Sequence, residues 1–147
     1  MVNRKMKEKK VLFVCKANVG RSQMAEAFYK KFNIKANANS AGTNVDNNEG
    51  QTIGNNPKAK HVLEVMKEEG INLINNKIKK LNQQMVKEAD KIIVITKKEN
   101  CPDYLKNSSR AIYWNIEDAK EKDYNFHIKI RDKIKKKVKK LIKDLEN

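Results

Sequence analysis

The chain has 147 residues, 35% of them charged, and sets 33 Lys and Arg against 18 Asp and Glu for a formal net charge of +15. That length suits one domain with one proper core, and no apolar run approaches the roughly 20 residues that a membrane-crossing helix needs. The start, MVNRKMKEKK, leads only into VLFVC before Lys16 interrupts, too short for a secretory apolar segment, and two cysteines cannot staple a secreted scaffold.

Residues 1–9 read as a basic tail and 10–147 as a single domain. Val11 to Cys15 reads as a buried strand. Ser22 to Phe32 then places Met24, Ala25, Phe28 and Phe32 at helical spacing, so the period switches within a few residues. Ile34 to Ala41 alternates weakly and ends in the small-residue turn SAGT. A polar loop follows over 46–56, and Pro57 is expected to open a second helix carrying Ala59, Val62, Leu63 and Met66, ended by Gly70. Residues 77–89 form a short helix candidate with Ile78, Leu81, Met85 and Val86. Lys91 to Thr96 is a β-branched strand, and Arg110 to Trp114 a fourth, shorter one. From Tyr124 to Leu145, Phe126, Ile130, Ile134, Val138, Leu141 and Leu145 share a stripe with lysines opposite, the pattern of a helix covering one sheet face.

This order predicts an α/β fold: one three-layer α/β/α domain, Rossmann-like, with a four-stranded parallel sheet and right-handed crossovers. Functional groups in such folds sit at the carboxyl ends of the strands. Cys15 stands at the end of the first.

Cys15 and Cys101 have no second Cys or His at zinc-ligand spacing, and His61 and His127 stand alone on expected helices as packed or solvated residues. The expectation is free thiols in a reducing cytoplasm and no metal. Nearly all of the positive charge is Lys, with Arg only at positions 4, 21, 110 and 131, and no aromatic residues interleave with it. Attraction of small anions follows from that charge, whereas specific nucleic-acid recognition does not.

Cys15, Lys16, Ala17, Asn18, Val19, Gly20 and Arg21 form C-x5-R between a strand and a helix. Backbone N–H groups converge without partners where a helix begins, and the helix dipole adds positive potential there. The span wraps one tetrahedral oxyanion, with Gly20 offering a left-handed or close-approach position and Arg21 a planar fork of donors. A thiol in such a setting is nucleophilic, and Ser22 can donate to it or cap the helix. Rossmann and P-loop glycine patterns are absent.

VLFVCKANVGRSQMAEAF resembles the signature of the low-molecular-weight protein tyrosine phosphatase superfamily, which also contains the thiol-dependent arsenate reductases. NSAGT at 39–43, NPKAKHVLEVMKEEGI at 56–71, KIIVIT, NCPDY at 100–104 and YWNIEDAKEKD at 113–123 agree with it in order. The resemblance implies Cys15 as nucleophile, Arg21 as oxyanion clamp, Asn18 and Ser22 as organisers of the loop and thiolate, and Ser40 as a buttress. It implies a general acid near the C-terminus, where Asp118 matches, with Ala119 in place of the usual Pro and Asp123 as fallback.

Two branches share the first step. A phosphatase hydrolyses its phosphocysteine, acting on phosphotyrosine or other aryl phosphates; a reductase resolves the arsenic adduct with a further thiol. Gln23, Trp114 and Cys101 in N-C-P resemble the reductases, as does the lack of Asp-Pro-Tyr in the acid loop. Many reductases of this fold carry two resolving cysteines where this chain has only Cys101. An intramolecular three-thiol relay is therefore impossible. What remains is Cys101 with an external reductant such as thioredoxin, or a small external thiol with Cys101 idle. A non-catalytic anion- or nucleic-acid-binding domain is the reading from another class.

Overall fold

A computed structural model describes residues 9–146. The first strand, β1 (Lys10–Cys15), is buried along nearly its whole length, as a central parallel strand with helices on both faces must be. It pairs with β2 (Asn37–Gly42) on one side and β3 (Lys91–Val94) on the other, and β4 (Ala111–Tyr113) extends the sheet beyond β3. The order is β2-β1-β3-β4, all pairs parallel. Cys15 pairs in register with Gly42, so the SAGT turn and the cysteine lie side by side at the carboxyl edge.

The helices are α1 (Arg21–Phe32), α2 (Lys60–Lys67), α3 (Gln83–Glu88), α4 (Asp103–Lys106) and α5 (Tyr124–Glu146). Because successive strand residues face opposite ways, β1 feeds two cores. Val11, Phe13 and Cys15 pack with α1, α2 and α5, where Ile130, Ile134, Val138 and Leu141 are the buried part of the α5 stripe. Leu12 and Val14 pack on the other face with Val86 of α3, Leu105 of α4 and Cys101.

Several boundaries differ from the sequence reading. Ile34 is 90% exposed, and β2 starts only at Asn37. Pro57–Ala59 is a 3-10 turn, started by the Asn56 side chain accepting from Lys58 N–H, and the α-helix begins at Lys60. The helix expected over 77–89 is confined to Gln83–Glu88, where the Asn82 side chain caps it by accepting from Met85 N–H. Lys77 to Lys80 is extended instead: Ile78 N–H donates to Gln51 O, and Lys80 bridges to Gly42. Ile78 and Leu81 are buried from an extended segment, so periodicity alone misassigned them. Gly70, φ +76, follows α2 as expected.

Candidate active site

β1 delivers Cys15 to the sheet edge at 2% exposure, and residues 16–20 turn the chain into α1. The turn needs one left-handed residue. It is Asn18, φ +58, and not Gly20, whose φ is −115° and where an added Cβ would meet only Val62 at 3.6 Å. The glycine the loop depends on is Gly42: a Cβ there would stand 2.5 Å from Lys16 O.

Asn18 is fully buried and all four of its side-chain bonds are made. Nδ2 donates to Ser22 Oγ at 2.7 Å and to Ser40 Oγ at 3.0 Å; Oδ1 accepts from Gln23 Nε2 at 3.0 Å and from Lys79 N–H at 2.8 Å. Each hydroxyl accepts from Asn18 and makes one further contact. Ser22 Oγ lies 2.9 Å from Cys15 Sγ, and Ser40 Oγ–H donates to Glu26 Oε1, 2.6 Å away. Asn18 thus links the hydroxyl beside the Cys15 sulfur at one end to the Glu26 carboxylate, 6% exposed, at the other.

Glu26 also binds Lys30 Nζ at 2.5 Å and lies 3.8 Å from Lys79 Nζ, whose pKa burial pushes down while Glu26 pulls it back up. Sequence reasoning missed Glu26 and Lys79. A signal for Glu26 was present, since it stands one helical turn after Ser22 and so on the same face; Lys79 gave none, because its bond to Asn18 is made through its backbone across 61 residues.

Arg21 is tied to the neighbouring strand ends. Its Nη1 donates to Ile95 O at 2.7 Å and Ile116 O at 3.1 Å, and Nη2 lies 3.6 Å from Asp118 Oδ2. Asp118, 52% exposed at its side chain, also accepts from Lys120 N–H through Oδ1. Asp123 is engaged elsewhere, its Oδ1 accepting from Phe126 N–H at the start of α5. Lys16 and Ala17 are exposed, and Val19 and Gly20 half-buried, so these four form the outer wall of the loop.

Cys101 is not part of this assembly. It is 6% exposed, its thiol faces Lys97 O at 3.5 Å, and it packs in the core on the other face of the sheet from Cys15. Burial pushes its pKa up, against the smaller opposing pull of Lys106 and Lys98.

Residues 10–147 match the model of the low molecular weight phosphotyrosine protein phosphatase family. The chain belongs to that family. Its similarity to curated proteins of the family includes 32% identity with an arsenate reductase of Staphylococcus epidermidis, across 88% of this chain and 92% of that protein. A low molecular weight protein tyrosine phosphatase from T. tengcongensis superposes with TM-score 0.78, 24% identity and 93% and 99% coverage. A thioredoxin-dependent arsenate reductase from Corynebacterium glutamicum does so with TM-score 0.70 and 25% identity, covering 95% of this chain and 62% of that one. Both kinds of relative are enzymes, and both carry the four-stranded parallel architecture described above.

Proposed function

We propose that this family member reduces arsenate to arsenite in the cytoplasm, with an external thiol as electron donor. The observation that carries arsenate over an aryl phosphate is the build of the rim. Loops 43–56 and 115–123 flank Cys15, through the Thr43 N–H bond to Cys15 O and the approach of Asp118 to Arg21, and neither contains an aromatic residue. Trp114 is turned inward, with its ring 6.3 Å from that of Phe13. A small inorganic oxyanion needs no stacking surface, whereas a phosphotyrosine ring does. The similarity to curated arsenate reductases supports the same reading.

In this scheme the Cys15 thiolate attacks arsenic in line and an arsenate oxygen leaves as water, protonated by Asp118, giving a Cys15–S–As adduct. Arg21 and the N–H groups at the start of α1 hold the remaining oxygens. An external thiolate then attacks Cys15 Sγ. The electron pair of the S–As bond passes to arsenic, arsenite departs, and a mixed disulfide remains. A second external thiol frees Cys15. Cys101, on the far face with its thiol protonated by burial, takes no part.

Arsenate turnover with a small thiol or a thioredoxin system, run beside hydrolysis of an aryl phosphate, tests this. Arsenite formation is expected, lost in Cys15→Ser and kept within about twofold in Cys101→Ser, while Asp118→Asn lowers it by ~10²–10⁴. Phosphate release with no arsenate turnover under any reductant would make the protein a phosphatase instead.

A further inference from the structure

α2 and α5 lie side by side in matching register. Arg131 Nη1 donates to Val65 O at 3.0 Å, and Lys135 Nζ to Glu69 Oε1 at 2.7 Å, one turn further along α5 and just past the end of α2. One turn in the other direction the facing pair is His61 and His127. Their ring centroids are 5.0 Å apart and their planes tilted by 52°, so the rings are not stacked.

Each imidazole has one nitrogen already fixed. His127 Nδ1 lies 2.8 Å from Asp123 O, a carbonyl that only accepts, and His61 Nδ1 lies 3.1 Å from the Glu64 Oε1 carboxylate. Both protons therefore sit on Nδ1, leaving each Nε2 with a free lone pair. Neither Nε2 has a hydrogen-bond partner among the described residues, where Thr43 Oγ1 is the fully buried polar side-chain atom left unpaired. His127 as a residue is 5% exposed. His61, 35% exposed at its side chain, leaves the approach open.

We propose that His61 and His127 form a two-histidine site for a borderline first-row divalent ion of the Zn2+ or Ni2+ class. An acceptor that holds Nδ1–H and leaves Nε2 free is the arrangement that orients metal-binding histidines. With metal–nitrogen bonds of about 2.0–2.1 Å and ring centres about 1.1 Å beyond, two imidazoles on one ion at a near-tetrahedral angle have centroids about 5 Å apart. The observed pair has that spacing. Imidazole nitrogen selects Zn2+, Ni2+ or Cu2+ over Mg2+ and Ca2+, which prefer oxygen. Among the described residues no group of three His, Cys, Asp or Glu side chains is placed to hold a metal, so the remaining positions fall to water. The ion would clip the start of α2, where Val62 faces Gly20 of the catalytic loop, to the start of α5, which Asp123 caps just beyond the Asp118 loop.

The test uses tag-free, chelator-stripped Cys15→Ser protein, so that the catalytic thiol does not compete. Titration calorimetry and thermal melts with Zn2+ and Ni2+ are expected to give one ion per chain and a Tm that climbs with ion concentration, with no response to Mg2+. His61→Gln, at a half-exposed position, is expected to weaken binding by more than ~10-fold; His127→Gln should do the same, provided its melt without metal shows that it folds. Binding unchanged in His61→Gln, or no binding of either ion, overturns the proposal.

Discussion

Asn18 joins two requirements that are usually met by different residues. Its backbone takes the left-handed turn, which Asn tolerates better than most, while its side chain anchors β2, α1 and the 77–80 segment through Ser40, Ser22, Gln23 and Lys79. Asn18→Ala would orphan buried donors and acceptors and strain the backbone at once, an expected loss of about 2–4 kcal/mol in urea unfolding. Asn18→Gly removes the same bonds and relieves the strain, so it should recover roughly 1 kcal/mol of that loss. Equal stabilities of the two variants would show that the positive φ carries no cost. At this scale the C-x5-R segment was legible because its members are contiguous. The placement of conformational freedom was not: Gly20 attracted the reading, but the left-handed position is Asn18 and the indispensable glycine is Gly42, whose partner Lys16 O comes from another strand's loop. His61 and His127 looked solitary for the same reason, since only the packing of α2 on α5 brings them together.

Elements with one strong periodicity and a clear end were read correctly in kind. β1 announced itself by five consecutive apolar residues, and α5 by a stripe whose buried members the structure retains. The 77–89 segment failed because Ile78 and Leu81 obey a helical spacing while their backbone groups pair with Gln51 and Gly42. Tertiary bonding overrode local pattern there. The α2–α5 contact is fastened near its far end by charge: Glu69, 17% exposed at its side chain, binds Lys135 at 2.7 Å and lies 3.8 Å from Arg131 Nε. The bond from Lys135 is the main cause holding its carboxyl below the ordinary range. A carboxylate whose folded pKa is depressed contributes stability above its unfolded value, near 4.3, and that contribution fades as pH falls through the folded value. Glu69→Gln is therefore expected to cost about 1 kcal/mol at pH 7 and to match the parent protein only in acid strong enough to protonate the depressed Glu69 carboxyl in the folded state. Chemical unfolding at the two pH values distinguishes this from a packing effect, which would persist in acid.

Over the whole molecule, the sheet separates the two thiols, and the proposed reaction places the anionic substrate at Cys15. With +15 overall and Lys16 exposed directly beside Cys15, the field at the loop attracts a dianion at a distance. In the proposed reaction Arg21 and the helix start bind it at contact. The two contributions respond differently to salt, because the Debye length shrinks from about 10 Å at 0.1 M to about 3 Å at 1 M while contacts within the loop are much less screened. Raising ionic strength over that interval should lower kcat/KM for arsenate several-fold and leave kcat unchanged. A neutral thiol reductant should show no such loss in its own KM. Salt anions could also compete for the loop, so the profile is taken with chloride and with a bulkier monovalent anion at matched ionic strength. Coincident curves identify screening of the field. Curves that differ by anion identify competition at Cys15 and Arg21, and a flat profile would mean that the lysine-rich surface does nothing to recruit substrate.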